Sequence, residues 1–451
     1  MPRQPLPPGP PGHLILGHLL QYRRDPLTFL STCARDYGDI AYLKIANYPF
    51  FLVSHPDYVE QILVRNHDKL KKDRMLRSRS GRELFGNGLL VSSGEHWRRQ
   101  RQIVQPAFRN DKMEHYAEIT RSRTQALLAT WREGEIYDMH AEMSRLILGI
   151  AGEAFFGADV ARDADHVVKA LIPIAEQFAA QGSPWSILRR VLPTPARFRY
   201  HQALARLNKV VYDLIDERRR RSTVDREDLL SMLIQMPQDG GQPLTDQQVR
   251  DEVMTFFLAG HETTALAVCW TLLLLARNPE VQAQVAAEAS RAREGAGLPK
   301  AAVGRYGYLD AVLKESLRLY PPVWILARAV TEAFGLGGFE VAAGMQVVIS
   351  PWIIHRDPRF FDRPEQFDPS RWSSRPVAGT PRYAYLPFGV GPRACVGQSL
   401  AMMEAALILA AVIGQFTVEP GARQEVVPMA GITLRPGGGV PLRVQRRKAS
   451  A

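Results

Sequence analysis

The chain is poor in cysteine: Cys33, Cys269 and Cys395 are the only three in 451 residues. They are far apart and odd in number, which excludes a disulfide framework and offers no zinc-ligand pattern. A reducing cytoplasm is the simplest compartment. The start of the chain lacks an apolar run long enough for a signal peptide or membrane anchor. Residues 14–20 are too short to span, and the proline-rich arm before them, residues 1–12, is stiff and polyproline-like. No internal repeat and no nucleic-acid motif is present. Basic residues outnumber acidic ones, 57 to 46, for a net charge of +11. They are spread widely, and the run 217–221 reads as a solvated helix end. Such a balance is compatible with a nucleic acid, an anionic membrane or an acidic protein partner.

The 46% hydrophobic content is ample for a large core. Periodicity predicts helices over 26–37 and 56–65, strands over 40–45 and 49–54, and an irregular stretch over 66–93. Residues 111–235 read as mostly helical, broken at Gly134, at Gly157 and around 184–195, with a loop over 181–193. A long apolar helix runs from 245 to 276, with Thr245 as N-cap and Gln248 completing a capping box. Its polar centre, Gly260, His261, Glu262, Thr263 and Thr264, makes a membrane span costly and a buried core helix the better fit. Another helix over 308–320 is stopped by Pro321 and Pro322. Segments 334–341 and 346–350 read as one hairpin, and strands near 416–419, 432–436 and 440–444 as a terminal group whose Gly437, Gly438 and Gly439 make a hairpin turn. The tail, 446–451, is expected to be disordered.

Chemistry concentrates at residues 388–397, Phe-Gly-Val-Gly-Pro-Arg-Ala-Cys-Val-Gly. One cysteine sits in a Gly- and Pro-bounded loop ahead of a strong helix former. A helix N-terminus and a nearby Arg are expected to lower the thiol pKa. Soft anionic sulfur suits iron, including haem iron. Upstream, Trp97 and Arg101 are four apart and share a helix face, where two donors can clamp an anionic group. Glu315 and Arg318 are three apart and can pair.

The 388–397 stretch resembles the haem-binding signature of the cytochromes P-450, F-x-x-G-x-R-x-C-x-G, at every fixed position. Residues 259–264, Ala-Gly-His-Glu-Thr-Thr, resemble that family's oxygen-activation motif, and the order of motifs matches along nearly the whole chain. The resemblance implies one mainly α domain with a small β region over 1–451, holding haem b between the long central helix and the Cys loop. It implies Cys395 as the iron ligand. Thr263 is then assigned to hydrogen-bonding dioxygen and Glu262 to relaying protons. Cofactor contacts are expected from Trp97, Arg101, Ala259, Gly260, Arg328, Phe388, Arg393 and Gly397. His355, with no partner at ligand spacing, is assigned a structural or propionate role beside them. Phe85, Leu89, Phe256, Val323, Trp324 and Ile432 are the expected substrate-pocket residues. Glu315, Arg318 and Arg371 form a structural ion network, and Ser370 stands where the family often has Glu.

The implied activity is a monooxygenase that puts one atom of dioxygen into a C–H or C=C bond of a small lipophilic substrate: a fatty acid, terpenoid, steroid or polyketide. Electrons come from a separate ferredoxin or flavodoxin and its reductase. A soluble, bacterial-type, cytoplasmic monomer with no nucleic acid and no transmembrane segment is expected. The rival readings are a peroxide-using or peroxide-rearranging haem-thiolate enzyme and a non-catalytic haem sensor.

Overall fold

A computed structural model describes residues 5–46, 48–157, 170, 173–174, 176–178, 194–220, 228–235, 243–294, 307–373, 379–421 and 425–447. The loop expected over 181–193 and most of the tail lie outside them. The described chain is mainly helical with small sheets.

The architecture turns on the central helix, Asp246–Arg277. Its start is the capping box read from the sequence: the Thr245 side chain accepts from the Gln248 amide while Gln248 reaches back to the Thr245 amide. A helix apolar on all sides must be enclosed on all sides. Met139–Phe156, Pro195–Arg220 and Gln398–Gln415 pack around it, and their buried residues form one continuous core with its own. Central helix and Gln398–Gln415 are both long and apolar enough to cross a membrane, yet both are largely buried within the fold.

Among the described residues, twelve strands accompany the helices. A five-stranded sheet runs in the order β1 (Ile40–Ile45), β2 (Tyr48–Val53), β8 (Gln346–Ile349), β5 (Leu326–Val330), β3 (Leu70–Lys72). β2 and β8 are parallel and the other pairs antiparallel. β6 (Phe334–Leu336) and β7 (Phe339–Val341) pair only with each other across Gly337 and Gly338. The expected hairpin of 334–341 with 346–350 is therefore wrong: the Gly-Gly turn closes the first segment on itself and frees β8 for the large sheet. The terminal strands also differ from expectation. β10 (Pro428–Ala430) pairs with β11 (Leu434–Pro436), whereas β12 (Pro441–Arg446) joins β9 (Phe416–Pro420) and β4 (Ile136–Asp138). Gly437, Gly438 and Gly439 thus carry the chain between two sheets. The stretch read as irregular over 66–93 contains β3 and a short helix, Arg79–Phe85. The helix read over 56–65 widens into a π turn at Gln61–Arg65.

One buried ion network ties the helix Gly307–Leu319 to the segment that follows β8. Arg318 donates to both Glu315 oxygens at 2.8 and 2.9 Å. Arg371 Nε and the Trp372 indole N–H complete the carboxylate at 2.9 and 3.0 Å. The other Arg318 donors go to the carbonyls of His355, Pro364 and Gln366. Both partners of the Glu315–Arg318 pair are wholly buried, so removing one strands a charge. Glu315→Leu should cost about 3–5 kcal/mol, read as a lower denaturation midpoint in urea. A loss below about 1 kcal/mol would contradict a fully desolvated pair.

Candidate active site

The Cys loop is built by backbone turns. The Gly389 amide donates to Leu386 O, Ala394 to Gly391 O and Cys395 to Phe388 O. Gly391 has φ +75°, and a Cβ there would lie 2.2 Å from the Leu63 carbonyl oxygen, so only glycine lets the loop approach that neighbour. Phe388 and Gly397 are half-buried around a Cys395 whose side chain is exposed to an open concavity. The surrounding protein raises the thiol pKa by desolvation, opposed by the Gly397 amide and the Arg101 guanidinium. The expected lowering is overturned, because desolvation outweighs the Gly397 amide and the Arg101 charge. Arg101 Nη1 donates to Ala394 O at 3.0 Å. Arg393 lies over the Trp97 ring, 4.5 Å from its centroid, and its Nη2 donates to Ser92 O at 2.8 Å.

Three cations gather nearby, two of them within the field of Asp73 but none paired with it. Strand pairing sets Lys72 opposite Arg328. Burial and the guanidiniums of Arg328 and Arg393 push the Lys72 ammonium well down. Burial and Arg328 bring Arg393 down to about 10, and burial lowers Arg328. The nearest acid, Asp73, spends Oδ1 on the Met75 and Leu76 amides. Among the described residues none of the three cations forms an ion pair with a carboxylate. Arg393 Nη1 is buried with no partner at all. Such a cluster fits a ligand that brings its own anionic oxygens. Together with a thiol facing a concavity, it suits a flat, iron-bearing dianion.

The motif of the central helix borders the same space. Ala259 is exposed although it lies mid-helix in the core. Thr263 Oγ1 donates to Ala259 O at 2.7 Å. Gly260 does not make room for a ligand as expected: a Cβ there would meet the Phe155 ring at 3.2 Å. Phe155, Phe108 and Phe256 form one aromatic wall, with centroids 5.7–6.3 Å apart. The Phe108 ring also lies 3.4 Å from where a Gly397 Cβ would be. The wall therefore links the Cys loop to the central helix. His261 gives Nδ1 to Phe257 O at 3.0 Å and is kept neutral by burial. All recorded bonds to Glu262 reach Oε1, from Thr433 Oγ1 at 2.9 Å and from Arg435 Nε and Nη2 at 2.5 Å.

Other expected contacts resolve differently. His355 is wholly buried, its Nε2 accepting from the Leu386 amide at 2.9 Å and its Nδ1 facing Arg318 O. Burial lowers its pKa to about 3. With both nitrogens occupied it is structural, and its place among cofactor contacts is corrected. Phe256 belongs to the aromatic wall rather than to a substrate pocket. Trp324 is buried in the cluster under the large sheet and donates its indole N–H to Gly431 O at 2.9 Å, so it anchors the β10–β11 hairpin instead of lining a pocket. Val323 is half-buried, and Ile432, at the hairpin tip, is 39% exposed. Phe85 and Leu89 are buried under the loop that leads to the helix Gly94–Val104. That loop is fastened to the central helix: the Asn87 amide donates to Asp251 at 2.8 Å and the Leu89 amide to Glu252 at 3.1 Å. A Cβ at Gly88 would fall 2.4 Å from Thr255 Oγ1. Burial raises the Glu252 pKa to about 8. Lys72, Phe108, Phe155, Glu252 and Arg435 were not legible from spacing. Arg435 at least carries a signal, a charge placed inside a short strand pattern.

The family model described as cytochrome P-450 matches residues 7–440. Cyclooctatin synthase of Streptomyces melanosporofaciens is 36% identical over 438 residues, covering 96% of this chain and 94% of the relative. Cyclooctat-9-en-7-ol 5-monooxygenase of the same organism is 34% identical, covering 90% and 88%. Pentalenene oxygenase of Streptomyces avermitilis is 33% identical, covering 93% of each.

Lys72→Met removes a desolvated cation beside two guanidiniums but also a partner for an anionic ligand. Thermal unfolding of the haem-free protein should rise by about 2 °C, while haem is lost faster from the loaded protein. A fall in stability of both forms would show that Lys72 acts by packing.

Proposed function

Because this chain belongs to the cytochrome P-450 family and is a haem-thiolate monooxygenase, we propose that its substrate is a small terpenoid hydrocarbon or alcohol, oxidised at a C–H or C=C bond. The relatives named for pentalenene and cyclooctat-9-en-7-ol support that class. The reading covers the chain as one domain, a cytoplasmic monomer. Its two membrane-length helices are buried in the fold, which supports that placement. The observation that carries the reading is the meeting of the Cys loop and the Ala259–Thr263 stretch at one aromatic wall, beside cations that lack carboxylates.

Bound haem supplies dioxygen activation, with one oxygen atom going to substrate and the other to water for two electrons and two protons. Cys395 would hold the iron as thiolate. Lys72, Arg328 and Arg393 would hold the propionates, with Arg393 Nη1 gaining the partner it lacks. Trp97 braces the Arg393 guanidinium through its ring. Arg101 fixes the loop through Ala394 O. The aromatic wall keeps water from one edge of the site. Thr263 has its hydroxyl hydrogen committed to Ala259 O, so its oxygen is free to accept from a water and hold it beside the reacting centre. Glu262, in the next position, carries protons toward that water.

Thr263→Ala should leave substrate binding intact, read as the ferric spin-state shift, and lower product per electron pair about tenfold. Full coupling in that variant would overturn the role of Thr263 and favour a peroxide-dependent reaction.

Electrons reach the site from a separate donor, and we assign that role to an acidic ferredoxin. The net charge of +11 and exposed Arg98 and Arg99, on the helix that reaches the Cys loop, support it. The reduction rate should fall as ionic strength rises. A salt-independent rate would exclude electrostatic docking.

A further inference from the structure

Glu262 is held by one oxygen only. Thr433 Oγ1, Arg435 Nε and Arg435 Nη2 all converge on Oε1. No partner is recorded for Oε2 among the described residues. A carboxylate anchored this way has a fixed orientation and one oxygen left for a mobile proton. We infer that Thr433 and Arg435 are positioning residues that anchor Glu262 through Oε1 and leave Oε2 as its proton-carrying atom. The inference rests on the reading of Glu262 as a proton carrier.

The anchor comes from a rigid source. Arg435 lies in β11 and Thr433 immediately precedes that strand on the β10–β11 hairpin, and both side chains reach the same Glu262 oxygen. Leu434 is fully buried between them. Its carbonyl accepts from the Trp270 indole N–H at 3.0 Å, two turns along the central helix from Glu262. Its amide donates to Pro322 O at 2.9 Å. The Trp324 indole N–H holds Gly431 O on the other side of the tip. The hairpin is therefore fastened to the central helix at Trp270 and to the Pro322–Trp324 segment beside it, and Glu262 makes a second tie to the helix. Ile432, next to Thr433, is the partly exposed tip residue, so a substrate touching it acts on the same rigid piece that orients the acid.

The proton account is simple. Oε2 takes a proton from solvent water and passes it to the water held at Thr263, and the carboxylate is restored. Nothing is oxidised or reduced in this step. Oε1 stays bonded to Arg435 throughout, which keeps the acceptor geometry fixed where small displacements cost much in rate.

Five variants of the haem-loaded enzyme test this: Glu262→Gln, Arg435→Met, Arg435→Lys, Thr433→Val, and Glu262→Gln combined with Arg435→Met. Product per electron pair is expected to fall about five- to tenfold in Glu262→Gln and in Arg435→Met, and no further in the double variant. Thr433→Val should lose less, and Arg435→Lys should recover at least half of the loss. The ferric spin-state titration should stay within about twofold of the wild type, since the pocket is untouched. A second readout needs no turnover: the unfolding equilibria of the haem-free single and double variants should be non-additive by about two- to fivefold.

Wild-type coupling in Arg435→Met would overturn the inference. So would a double variant that multiplies the two losses, since Arg435 would then act on something other than Glu262. A weakened spin-state titration in Arg435→Met would reduce the residue to a hairpin brace. If Glu262→Gln itself stays fully coupled, the reading of Glu262 falls, and with it the inference. That failure is distinguishable, because any Arg435 effect would then persist in the Glu262→Gln background.

Discussion

The enclosure of one helix that is apolar on every side governs the fold. Asp246–Arg277 cannot lie at a surface, so long helices close around it and the sheets are pushed to the margins. Any polar group in its middle must then find a partner within the fold. Glu262 reaches the terminal hairpin, His261 turns back to its own helix, and Thr263 bonds the carbonyl of Ala259. Ala259 is left open to the concavity, and that opening faces the space the Cys loop borders.

A second constraint is electrostatic. Lys72, Arg328 and Arg393 are desolvated together, and among the described residues none of them is in an ion pair with a carboxylate. Such a gathering is unfavourable by itself, and a ligand bearing anionic oxygens would offset the cost. The Cys395 thiol is likewise raised by desolvation, against the Gly397 amide and Arg101.

Much of this was legible along the chain wherever partners lie close in sequence. The Thr245 capping box and the Glu315–Arg318 spacing are local patterns with local causes, and the Cys loop carries its own turns. The mainly helical class with small sheets was implied by the family resemblance that the motifs carry. Contacts across long separations were not legible. Lys72 meets Arg328 only through the register of β3 on β5. Arg435 meets Glu262 only because Gly437, Gly438 and Gly439 send β12 to another sheet and leave β11 with β10. Trp324 and Phe256 looked like pocket walls because apolar residues of core and pocket are alike in type. His355 looked available because nothing in its neighbourhood predicts that the Leu386 amide would take its second nitrogen. Gly260 was read as ligand space, whereas Phe155 takes the room.

The central claim is that Cys395, in a loop shaped by backbone turns and steadied by Arg101, is the iron ligand opposite the Ala259–Thr263 stretch. Iron X-ray absorption on the haem-loaded protein tests it most directly. One sulfur scatterer is predicted in the first shell of the wild type, lost in Cys395→Ala while Cys33 and Cys269 remain. A shell of nitrogen and oxygen alone in the wild type, or a sulfur that survives the substitution, would contradict it.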